Sequence, residues 1–200
     1  MNEIFSTAYL PSLSWFAHFL LAKQPVIDLG ENYEKQSYRN RCHILSANGE
    51  LALSIPVKKI ATKTSVKDML IENEFNWQKQ HWETICSAYN SSPYFQYYRH
   101  RFEPIYHQQF THLHSLNHAL LDLCMNMLKL EKHYEFAFSY QESETDFRQS
   151  VHPKKNADMT FPSYPQVFMY KYGFVPDLSV IDLLFNNGPA ALQYLLSIKI

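Results

Sequence analysis

Arg39, Asn40 and Arg41 precede a short apolar run, and Lys58 and Lys59 follow a second one. If the two runs form one hairpin, the ribbon returns to its starting end and places all five side chains together. Arginine offers a planar two-pronged donor to phosphate or carboxylate, lysine a mobile point charge, and asparagine a neutral donor and acceptor. That set is an anion clamp suited to a sugar phosphate or a nucleotide. The plainer reading is a solvated hairpin end.

A second place for an anion lies near the start of the chain. Tyr9-Leu10-Pro11 ends an apolar run and feeds a helical pattern, so backbone N–H groups and the positive helix end point at one spot. Core aromatics are the plainer reading of Tyr9 and Trp15. Two groups could move a proton: Asp28, which closes the second apolar run where parallel strands present side chains to a cleft, and His81, near the start of an aromatic helix. The expected division of labour gives anion holding to Arg41 and Lys58, substrate orientation to Tyr9 and Asn40, and proton transfer to His81 or Asp28. The other histidines read as structural, and no metal site is expected from His114 and His118, one turn apart without a third ligand at matching spacing.

The elements that must position these residues follow from periodicity. Ile4 to Leu10 reads as a buried strand, Phe16, Phe19 and Leu20 as a helix capped by Ser12 or Ser14, and Pro25 to Leu29 as a second strand parallel to the first. Ala47-Asn48-Gly49 between Arg41–Ser46 and Glu50–Val57 predicts a hairpin with a primed turn. Residues 58–65 form a basic exit loop and 66–71 a possible short strand. Trp77, His81, Ile85 and Tyr89 recur every fourth residue, as do Tyr94, Tyr98, Phe102 and Tyr106, with Pro104 expected to kink or end the second helix. A third helix follows from Leu113 to Leu128. Tyr134 to Phe138 alternates like a strand, 142–159 reads as a long mobile loop, and the tail forms a helix capped by Asp177 or Ser179, ended by Gly188, with another after Pro189.

Composition narrows the function classes. Of 200 residues, 46% are hydrophobic, enough for one well-buried domain over 1–200. With 18 basic and 19 acidic side chains the net charge is −1, so no global field draws in nucleic acid or an anionic membrane. The apolar stretch from Phe16 to Ala22 is too short to cross a bilayer, and the three scattered cysteines fit a reducing, cytoplasmic setting. Walker, dinucleotide-fingerprint, GxSxG and HExxH motifs are all missing, and with four glycines no cofactor is named by the sequence. The fold class expected is α/β: a small mixed, partly parallel sheet with an antiparallel hairpin, covered by helices.

Several of these residues, taken in order, are similar to a known family. Tyr9-Leu10-Pro11 with Trp15-Phe16, Asn40-Arg41, Ile55-Pro56-Val57-Lys58, Trp77 with His81, Ala88-Tyr89 and Pro93-Tyr94-Phe95 together resemble the WbqC-like proteins across most of the chain. Such proteins come mainly from bacterial gene clusters for O-antigen and related polysaccharides, without an established reaction. The resemblance implies a similar setting; the strand-to-helix turn facing a cationic hairpin end adds the expectation of a small phosphorylated or nucleotide-linked metabolite as partner, handled by an enzyme or gripped by a non-catalytic binding or assembly protein. The usual opening of the family carries Gln-Pro shortly before Tyr-Leu-Pro, and here Ser6 and Thr7 stand instead. The stretch from Tyr172 to Asn186 is also similar to the tail of one bacterial branch.

Overall fold

The computed structural model describes residues 2–59, 63–155 and 157–200, so residues 60–62 of the exit loop and Asn156 lie outside the described residues. The first strand, β1, is short (Glu3–Phe5), and the rest of the apolar run to Leu10 is buried without pairing. Ser12 caps α1 (Leu13–Leu21), its hydroxyl accepting from the Trp15 N–H at 3.3 Å. Pro25, which lacks an N–H, opens β2 (Pro25–Asp28), parallel to β1 as expected.

The hairpin pairs β3 (Arg41–Ser46) with β4 (Gly49–Ser54), Arg41 opposite Ser54 and Ser46 opposite Gly49. Its turn is not the primed kind. The loop is Ala47-Asn48, and the positive φ, +104°, falls on Gly49 instead of the two central residues. Residues 66–68 form a turn of 3-10 helix in place of a strand, leaving only isolated bridges at Leu70 and Ile71.

Three helices follow where the fourfold aromatic and leucine spacings put them: α2 (Trp77–Tyr89), α3 (Phe95–His107) and α4 (Leu113–Leu128). Pro104 lies inside α3 without ending it. The sheet then resumes with β5 (Glu135–Ala137) and the two-residue β6 (Thr145–Asp146). The segment read as one long loop therefore carries a strand, because Phe147 stacks on Phe5 at 4.8 Å and its N–H reaches the Ile4 carbonyl at 2.8 Å. The tail supplies α5 (Met169–Tyr172), α6 (Val180–Asn187) and α7 (Ala191–Ser197).

The result is a mixed α/β fold with a four-stranded parallel sheet, in the order β5-β2-β1-β6, and a separate antiparallel pair. One buried apolar cluster runs from Phe5 to Ile198 and joins both sheets to the helices. In the parallel sheet the chain steps from β1 to β2 and β5 on one side and places β6 on the other. Crevices at the carboxyl ends of such strands are where open α/β sheets hold ligands. Among the described residues no helix is long and apolar enough to cross a membrane.

Candidate functional site

A cleft of about 750 Å³ lies among the segments that follow β2, β4 and β6. Asn32, Tyr33, Glu34 and Lys35 follow β2, Gln149 follows β6, and Val57, Lys58, Lys59, Lys63, Thr64 and Met69 complete the lining, with the Tyr33 N–H donating to the Thr64 carbonyl at 2.9 Å. Four of these side chains are lysines, and among the described residues no carboxylate forms an ion pair with any of them. Burial pushes the Tyr33 phenol up to about 12. The Arg39 and Arg41 guanidiniums oppose that rise without cancelling it.

Beneath the cleft the charges are paired. Arg39, 2% exposed, donates through Nε to Glu31 at 2.9 Å and through Nη2 to its other oxygen. Ser6, at the carboxyl end of β1, lies beside that Glu31 carboxyl. Arg148 is the second buried guanidinium. It reaches Asp28 and Asp146, donates to the Gln141 carbonyl at 2.9 Å, and stacks 4.4 Å from the Tyr140 ring centre. Burial alone would raise the Asp146 carboxyl, but the Arg148 guanidinium overrides it and leaves it below the usual carboxylate range.

The residues singled out from sequence divide between cleft and interior. Lys58 lines the cleft; Arg41 is not among its lining residues and gives its Nε N–H to the Ser54 hydroxyl at 3.0 Å. Asn40 ties the hairpin base, giving its amide N–H to the Ile55 carbonyl at 2.8 Å and taking the Ile55 N–H on its own carbonyl at 2.8 Å. Asp28 is fully buried, accepting from the Gly30 and Gln141 N–H groups as well as Arg148.

Tyr9 and His81 meet in the core. The Tyr9 hydroxyl lies 2.9 Å from His81 Nδ1 and 2.8 Å from the Tyr106 hydroxyl. Burial drives the His81 pKa down to about 4, so the imidazole is neutral at neutral pH, and burial raises the Tyr9 phenol well above its ordinary value. The structure thus joins Tyr9 to His81 in the core and sets Lys58 at the cleft, which Tyr9, Asn40, Arg41 and His81 do not line.

The turn into α1 is closed by the C-terminal segment. Asp177 is not the cap of α6; its carboxylate accepts from the Ser14 N–H at 2.7 Å and the Ser14 hydroxyl at 2.8 Å, filling the spot a ligand anion would take. Burial lifts this carboxyl to about 6. The Ser179 hydroxyl caps the Leu10 carbonyl at 2.8 Å, and Leu10 itself is held at φ +45°, a left-handed conformation that disfavours a bulky side chain.

Sequence reasoning missed Lys35, Lys63, Glu34 and Arg148. For Glu34 and Lys35 a signal existed, since the loop after a parallel strand's carboxyl end faces a crevice, whereas Lys63 follows the antiparallel hairpin. Arg148 gave none, because β6 is too short to show a period. His118, weighed as a metal ligand, faces Asp122 at 3.0 Å, and among the described residues no three His, Cys, Asp or Glu side chains are grouped to hold a metal ion.

Comparison with known proteins places the chain. It is 25% identical to the uncharacterised protein Rv1507c of Mycobacterium tuberculosis (strain ATCC 25618 / H37Rv), over 96% of each chain. No solved structure matches it. The model of the WbqC-like protein family matches residues 7–158 and 139–194, and the chain therefore belongs to the WbqC-like protein family.

Proposed function

We propose that this protein binds a phosphate- or nucleotide-linked sugar, or a similar small metabolite, in the lysine cleft and acts on it in bacterial surface-polysaccharide synthesis. One observation carries the reading: Lys35, Lys58, Lys59 and Lys63 line a crevice at the carboxyl edge of a parallel sheet, and no carboxylate among the described residues neutralises them. Unmatched cations held close together raise the local concentration of anions and gain most from a multiply charged one. In this reading Lys58 and Arg41 grip the phosphate side, while Asn40 and Tyr9 support it indirectly by fixing the hairpin base and the turn into α1.

A second reading, a non-catalytic ligand-binding protein, is favoured by one specific observation. His81 and Asp28 both spend their polar atoms inside the fold, so neither faces the cleft to move a proton. The test of both readings begins with binding. A thermal-shift series with UDP-glucose, UDP and glucose 1-phosphate is expected to raise the melting temperature in a dose-dependent way, by the mass action of a ligand that binds only the folded state. The stabilisation should shrink as salt rises from low to physiological levels. Absence of any shift at low salt removes the proposal.

A further inference from the structure

The lysine cleft contains a single carboxylate among its described lining residues, Glu34, and that carboxylate works against any anionic ligand. Its presence could be explained if Arg39 needed it, but Arg39 does not. The Glu31 carboxylate already receives two of its N–H groups, while Glu34 takes only a long contact from Nη1, at 3.4 Å. None of the four lysines pairs with it either.

Glu34 is nevertheless held in place. Gln149 Nε2 donates to Oε2 at 3.2 Å, and His152 Nε2 lies 3.6 Å from Oε1. Burial lowers the His152 pKa against the pull of the Glu34 carboxylate, and the Lys154 N–H occupies its Nδ1 at 3.2 Å. The segment after β6 thus orients one carboxylate that stays 41% exposed to the cleft. A carboxylate held among cations matches a ligand that brings a hydrogen-bond donor along with its negative charge.

Resting on the cleft reading above, we infer that Glu34 is a specificity residue that accepts a hydrogen bond from a hydroxyl or amino group of the ligand, set close to the phosphate the lysines hold. The chemical class selected is a phosphorylated polyol or amino sugar. Bare polyphosphates, which carry a denser negative charge and no hydroxyl or amino group on a carbon skeleton, are selected against by the same carboxylate. This is discrimination by an attractive contact for one ligand and a repulsive one for its competitor.

The test compares glucose 1-phosphate with inorganic pyrophosphate, by titration calorimetry at low salt, on the wild-type chain and on E34Q. Glutamine keeps the shape and removes the charge. Pyrophosphate is expected to bind E34Q more tightly, by roughly threefold to tenfold, as repulsion across a few ångströms is lifted. Glucose 1-phosphate is expected to bind it about tenfold more weakly, because a hydrogen bond to a charged acceptor is lost. Tighter pyrophosphate binding together with weaker glucose 1-phosphate binding supports the assignment, and the reverse pattern overturns it. Changes of the same sign for both probes, or none for either, overturn it while leaving the cleft reading intact. Failure of the wild type to bind either probe, or UDP-glucose, overturns the cleft reading and this inference with it. The thermal midpoint of unliganded E34Q separates a binding change from a folding defect.

Discussion

Two groups of cations sit at the same edge of the parallel sheet and are treated in opposite ways. Arg39 and Arg148 are buried and carry their own carboxylates, Glu31 for one and Asp28 with Asp146 for the other. Lys35, Lys58, Lys59 and Lys63 line an open cleft, and no carboxylate among the described residues pairs with them. Charge that is matched within the chain fixes architecture, since its removal leaves an orphaned partner in a low dielectric. Charge left unmatched at a concave surface has only solvent and solutes to answer it. Arginine's rigid fork suits the first task and lysine's mobile ammonium the second.

The strongest way to break this distinction is at Arg148. Replacing it with methionine keeps much of the volume but leaves Asp28, fully buried, without its counter-charge. Loss of one partner from such a pair costs about 3–5 kcal/mol. Urea unfolding of R148M should therefore show a large drop in stability or yield no folded protein. The D28N/R148M double variant should recover part of the loss, since it removes the buried charge along with its partner. An R148M chain as stable as wild type would mean that the matched charges do not hold the edge together.

Asp177 is an intermediate case: a carboxylate matched by a backbone N–H and a serine hydroxyl, with no cation bonded to it. Its pKa rises from 3.8 to about 6 on folding, mainly through burial. The folded chain thus holds this proton more tightly than the unfolded one. The contribution of Asp177 to stability is greatest below pH 3.8, falls as pH rises towards about 6, and is flat above that. The swing approaches about 3 kcal/mol, since each tenfold difference in proton affinity between the two states is worth about 1.36 kcal/mol. Unfolding curves of wild type and D177N across that range should show the wild type losing stability relative to the variant, and the difference cancels the titration of all other groups. A difference that grows with pH would mean the Ser14 hydrogen bonds outweigh burial.

These cases show where the sequence was legible. Regular spacing revealed α2, α3 and α4, because one face of each packs on the core and must repeat every third or fourth residue. The strand, helix, strand opening and the hairpin were legible for the same reason. The candidate site was legible only in part. Lys58 lines the cleft, but Arg41 bonds to Ser54 outside its lining, and Tyr9 and His81 turn inward to each other, a pairing across 72 residues that no local pattern announces. Asp177 reaches Ser14 across 163 residues, and a positive φ of 52° lets it do so. Such contacts are set by tertiary packing, which overrides the local capping signal that pointed to α6.

The lysines give the smallest effect on stability and the sharpest form of the comparison. In the K58E/K63E double variant, two exposed side chains change sign without burying anything or orphaning a partner. Surface changes of this kind usually stay within about 0.5 kcal/mol. Urea unfolding should therefore place the variant close to wild type, in contrast to R148M. Ligand binding should respond in the opposite order: stabilisation by UDP-glucose at low salt should be abolished, because two attractions become repulsions at the point where the phosphates sit. The wild-type affinity should also fall with salt more steeply than that of a K58M/K63M variant, which has fewer cations to screen. If K58E/K63E bound UDP-glucose as wild type does, unmatched charge at this edge would be ordinary surface, and the contrast with the buried arginines would carry no functional meaning.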